Sequence, residues 1–110
     1  MTQQTPQKVM PNPDQNCEHQ LQQARQSIDI IDKKIIDLLT ERSTCVATIA
    51  DIKRQQDLPA YDAERERQVI DKLCQNNPTH YQTADLEKIF RTILRAGLNQ
   101  QLLQQADVKD

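Results

Sequence analysis

The sequence predicts an all-α chain of three helices, one long, one short and one medium, completed by a second copy of itself. Three observations carry that reading. A single glycine among 110 residues, with Gln, Leu, Ile, Asp, Lys and Arg abundant, favours helix over sheet. From Glu18 to Leu58 there is neither proline nor glycine, and the apolar residues step by threes and fours. Aromatic residues make up only 3% of the chain, which leaves little bulky side-chain volume for an independent core.

In chain order, residues 1–16 are rich in Gln, Pro and Asn and lack periodic apolar positions, which predicts a disordered polar leader. They hold no apolar segment of signal-peptide type, and no run approaches membrane-spanning length. The helical domain is expected over 17–105. Its first helix carries Leu21, Ala24, Ile28, Ile31, Ile35, Leu38, Cys45, Ile49 and Ile52 as a heptad seam. Pro59 ends it, because proline restricts its predecessor and cannot join the helical ladder. Asp62 is suited to cap the second helix, with Glu64 in its first turn, Val69, Ile70 and Leu73 as its stripe, and Asn76-Asn77-Pro78 as its stop. Thr83 is suited to cap the third, where Leu86, Ile89, Phe90, Ile93, Leu94, Leu98 and Leu102 turn mostly inward as far as about Gln105. Residues 106–110 are expected as a disordered tail.

The first helix is too long for its own globule. The 37 residues from Glu18 to Arg54 span roughly 55 Å at about 1.5 Å per residue. A compact chain of this size has a radius of gyration of about 13 Å, hence a diameter of about 34 Å. An apolar seam of that length must be covered, and a two-fold pair of copies is the commonest cover. The formal charge of -2 and pI near 5.6 give no global attraction to nucleic acid or to an anionic membrane, so any anion must be captured locally. Cys17, Cys45 and Cys74 are widely spaced without a CxxC pair, and His19 and His80 lie far apart. Neither a disulfide framework nor a metal site is suggested, and the expectation is a reducing cytoplasm.

Several charges fall where apolar residues belong. With Leu21 at heptad position a, the a series is Leu21, Ile28, Ile35, Arg42 and Ile49, and the d series is Ala24, Ile31, Leu38, Cys45 and Ile52. Arg42 interrupts the seam, where an unpaired guanidinium is costly to bury. Lys53 is eleven residues further on, a rotation of only about 20°, so it shares that face. Glu66 precedes Val69 and Ile70 by three and four residues on the inward stripe, with Asp62 one turn before it. On the third helix Phe90 and Ile93 lead at four-residue steps to Gly97 and Gln101. There small and polar side chains replace apolar ones, and an interior glycine costs about 1 kcal/mol relative to alanine. A polar cavity between helices, lined by cations, a carboxylate and an amide, accounts for all of these.

Arg25 lies beside the seam but about 25 Å along the axis from Arg42, too far for one small ligand to touch both within a chain. Two antiparallel copies crossing near Ile36 would set residue 25 of one opposite residue 47 of the other, between Arg42 and Lys53, giving two shared sites per dimer. Taken singly, Arg25 and Lys53 read as solvated side chains and Arg65 and Arg67 as helix-surface charge, a buried bridge to Glu66 is a rival reading for Arg42, and for Asp62 a plain cap stands level with a ligand contact. Their joint pattern over three helices favours a site.

With these residues in hand, the chain resembles the all-helical chorismate mutase family over roughly Leu21 to Gln104. The signals are ARQSIDIIDKKIIDLLTER at the start of the first helix, ADIKR at its end, PAYDAERERQV after the loop and LNQQLL in the last helix. In that family two intertwined three-helix chains convert chorismate to prephenate, so the resemblance implies a homodimeric isomerase of aromatic amino-acid biosynthesis without metal or cofactor. It implies that Arg25 of the partner subunit and Arg42 clamp the substrate's two carboxylates. Lys53 and Gln101 would donate to the ether oxygen, and Glu66 would accept from the ring hydroxyl, with Asp62 and Arg65 near the same end. Gly97 departs from the family, where a small hydroxyl residue is frequent. Two alternatives stand beside this: an isochorismate-pyruvate lyase of the same fold, and a non-catalytic helical dimer serving as a regulatory or interaction module. The chemistry suits the inventory, because the rearrangement needs a folded substrate and a stabilised ether oxygen rather than a nucleophile.

Overall fold

A computed structural model describes residues 13–108 of the chain. Over them it consists of α1 (Pro13–Gln55), α2 (Ala63–Cys74) and α3 (Thr83–Val108), with turns between. The chain divides between Leu39 and Thr40, inside α1, into two compact units. Helix α1 begins within the stretch expected as a leader; a proline is accepted in a first turn because its missing N–H would have had no helical partner there. The rest of that expected leader, residues 1–12, lies outside the described residues. At the other end α3 runs into the expected tail, of which 109–110 lie outside the described residues.

The first unit, over its described residues, is the stretch of α1 up to Leu39. Every side chain from Cys17 to Leu38 is exposed, and the seam residues Leu21, Ile28, Ile31, Ile35 and Leu38 keep between 48% and 63% of their surface.

The second unit holds the rest of α1 with α2 and α3. Its core is Ile70, Cys74 and Leu86, with Phe90 and Leu94 packed against it. On α1 the buried residues are Val46 and Ala50, whereas the heptad positions Cys45, Ile49 and Ile52 are exposed. The expected seam is therefore not the stripe that meets the chain's own helices. That stripe lies one position along, because α3 approaches α1 there: Gln100 Nε2 donates to the Ser43 carbonyl (2.8 Å), and Gln104 Nε2 donates to the Ala47 carbonyl (3.0 Å) and to Asp51 Oδ1 (2.9 Å). Leu73, Ile89 and Leu102, expected inward, are exposed as well. A core with Phe90 as its one aromatic ring is too small to cover every apolar position.

The connections are built from local hydrogen bonds. Helix α1 stops at Gln55, short of Pro59, because Asp57 takes the left-handed conformation (φ 59°). The Leu58 N–H then reaches back to the Lys53 carbonyl (2.7 Å) and the Asp57 N–H to the Arg54 carbonyl (3.2 Å). This is the paired closure of a Schellman motif, with aspartate in the place glycine usually fills. Asp62 caps α2, its Oδ1 accepting the Arg65 backbone N–H at 3.0 Å. After Asn76, also left-handed (φ 56°), the Asn77 side chain accepts from the Thr79 N–H and hydroxyl and donates to the Tyr81 carbonyl. Thr83 is the first residue of α3 rather than its cap; the carbonyl that opens the ladder is that of Gln82, accepting from Leu86.

Candidate active site

The second unit encloses a cavity of about 300 Å³ among α1, α2, α3 and the loop before α2. Arg42, Lys53, Asp62, Arg65, Glu66, Gly97 and Gln101 all line it, together with apolar walls from Val46, Ile49, Val69, Leu94 and Leu98. Helical spacing explains the convergence. On α1 the lining positions 42, 46, 49 and 53 fall on one face, and on α3 positions 94, 97, 98 and 101 do the same.

Each polar group is held differently. Lys53 donates from Nζ to the Ala60 carbonyl at 2.7 Å, a bond across the turn that ends α1. An ammonium has three donors, so two remain for a ligand. Asp62 spends Oδ1 on its cap and so is both the plain cap and a wall of the cavity. Gln101 has a buried side-chain oxygen without a hydrogen-bond partner among the described residues. A half-turn of its terminal amide would present the donor N–H in the same place.

Arg42 is half-buried and makes no hydrogen bond or ion pair among the described residues. The expected alternative, a structural bridge from Arg42 to Glu66, is not formed. Glu66, with 20% of its side chain exposed, is instead approached by Arg95 of α3, whose Nε lies 3.7 Å from Oε2. The reason is geometric: α3 carries Arg95 to Glu66 from the solvent side and leaves Arg42 facing the cavity. Arg67 is a surface charge, paired along its own helix with Glu64 and Asp71. Arg65 lines the cavity, so it is not purely a surface charge.

Arg25 is not among the residues lining this cavity. It belongs to the first unit, exposed on α1 beside Glu18, Leu21 and Gln22 around an open surface hollow.

Three participants were not singled out from the sequence. Arg95 sits with its guanidinium carbon 5.9 Å from the Tyr61 ring centroid, and Tyr61 itself lines the cavity. Ala60 contributes its carbonyl to Lys53. Tyr61 had a signal, its place between Pro59 and Asp62 in a charged helix entrance. A backbone carbonyl and a cross-helix arginine off the apolar stripe had none.

Residues 24–102 match the family model described as chorismate mutase type II. Among curated proteins the chain is 31% identical over 93 residues to a chorismate mutase of Methanocaldococcus jannaschii, covering 82% of this chain and 94% of that protein. It is 36% identical over 85 residues to a bifunctional chorismate mutase/prephenate dehydratase of Aquifex aeolicus, covering 73% of this chain but only 23% of the relative's length. Among solved structures it is similar to chorismate mutase (form II) from Thermus thermophilus, with a TM-score of 0.73, 27% identity and coverage of 83% of this chain and 98% of that one.

Proposed function

The chain belongs to the chorismate mutase type II family, and from that premise we propose that it rearranges chorismate to prephenate in a cavity that two copies complete. The observation that carries this is Arg42: a cation without a partner among the described residues, lining a cavity shared with Lys53 and Gln101. A dianionic ligand supplies what that arrangement lacks.

The reaction is an internal exchange of bonds. The ether C–O bond breaks as a new C–C bond forms, and no atom enters or leaves. Arg42 grips one carboxylate and Arg25 of the partner subunit the other, folding the substrate's side chain over its ring. As the C–O bond lengthens, negative charge grows on the ether oxygen, where the free Lys53 N–H groups and the turned Gln101 amide stabilise it. Glu66 accepts from the ring hydroxyl, at the end where Asp62 and Arg65 also line the wall.

The second copy is supported by the first unit, whose seam from Leu21 to Leu38 stands exposed in the single chain and carries Arg25. The proposal includes a cytoplasmic setting, which three free cysteines suit. Among the described residues no helix is long and apolar enough to cross a membrane.

Incubating the purified full chain with chorismate tests the reading, with ultraviolet absorbance and product identification as readouts. Consumption of chorismate to prephenate is expected. Unchanged chorismate would point to the non-catalytic module, and pyruvate from isochorismate, with no prephenate from chorismate, to the lyase.

A further inference from the structure

The chain's one glycine lies buried in the interior of α3, where alanine would make the better helix. What its missing side chain accommodates is visible in its neighbours. A β-carbon built on Gly97 would stand 3.2 Å from Nη1 of Arg42 and 3.7 Å from Cγ2 of Val46. The second distance is ordinary van der Waals contact; the first is tight enough that the neighbour must give by a few tenths of an ångström. The two helices are tied together here. Gln100 and Gln104, in the next turns of α3, hold the carbonyls of Ser43 and Ala47, one on each side of Val46. An added methyl would therefore be taken up by Arg42, the far end of a flexible side chain that has no partner among the described residues.

We infer that Gly97 is a positioning residue: the space left by its absent side chain seats the Arg42 guanidinium against the backbone of α3 and sets how deep in the cavity a bound carboxylate lies. A carboxylate held by Arg42 is thereby drawn towards α3. A guanidinium binds a carboxylate through two parallel N–H bonds and tolerates little misplacement, so a shift of a few tenths of an ångström is felt in binding. The nature of the ligand rests on the function proposed above; the contact between Gly97 and Arg42 does not.

A double-mutant cycle in the full chain separates the two. Gly97→Ala, Arg42→Ala and their combination are compared by thermal melting, and wild type and Gly97→Ala by chorismate turnover. Gly97→Ala alone should raise the melting temperature by about 1–2 °C, against about 4–6 °C in the Arg42→Ala chain, where nothing resists the new methyl. It should raise KM for chorismate about fivefold to tenfold while kcat stays within about threefold. Equal melting gains in the two backgrounds, a melting loss in both, or an unchanged KM would overturn the inference. If wild type leaves chorismate untouched, the proposed function falls, and the melting cycle alone decides the contact.

Discussion

The two parts of α1 are made of similar residues and meet different fates. Up to Leu38 its isoleucines and leucines are exposed along their whole seam, whereas beyond Thr40 the helix buries Val46 and Ala50 and lends Arg42 and Lys53 to a cavity. The difference lies in what the rest of the chain supplies: α2 and α3 give the second part a core and a lock of glutamines. The first part has no such cover within the described residues of its own chain. Five large apolar side chains, each about half exposed, are a liability in a monomer and would form the interface of the proposed pair.

The largest expected effect breaks the comparison at its exposed side. Ile31→Asp puts a charge in the middle of the seam, so the proposed pair should dissociate and chorismate turnover should fall by at least about a hundredfold, since each site would lose the partner's arginine. Sedimentation and activity together check it; a variant that stays dimeric and active would mean that the seam is not the interface.

Next comes Lys53, which belongs wholly to the second part. Lys53→Ala should lower kcat by about 10²–10³ with melting temperature and the proposed dimer little changed, because the bond proposed to the ether oxygen would strengthen mainly in the transition state. Near-normal turnover would remove Lys53 from the proposed chemistry.

Joining the two parts is the role proposed for Arg25. Mixed and re-equilibrated Arg25→Ala and Arg42→Ala chains should form hybrids with one intact site in two. Activity should then recover to about a quarter of wild type from near zero. Hybrids that form without recovery would separate Arg25 from the cavity.

Much of this is legible in the sequence because it depends on spacing along one helix. The face shared by Arg42 and Lys53, the four-residue step from Gly97 to Gln101 and the cap at Asp62 follow from about 100° per residue and from side-chain chemistry. What spacing does not show is how two helices are rotated against each other. A heptad count therefore favours Cys45 and Ile52 where Val46 and Ala50 are buried, and the sequence offers Arg42 as a rival partner for Glu66, which Arg95 reaches instead. Proline chemistry puts the end of α1 at Pro59, but the left-handed Asp57 has already turned the chain.

That turn supplies the smallest effect, and it concerns how the second part holds Lys53 in place. The Schellman closure brings Leu58 back onto the Lys53 carbonyl, and two residues later the Ala60 carbonyl receives Lys53 Nζ, so one local fold fixes both ends of the same lysine. Its one strained member is Asp57, an L-residue at φ 59°. Glycine there removes the clash of the β-carbon while adding freedom to the unfolded chain, a net gain of about 0.5 kcal/mol. Asp57→Gly should therefore melt slightly higher with kcat unchanged. The bulky, β-branched Asp57→Val cannot take that conformation easily and should be less stable by about 1–2 kcal/mol, with kcat falling as the loop lets go of Lys53. If Asp57→Val kept full turnover, the turn would not be what aims the lysine, and the helix alone would suffice.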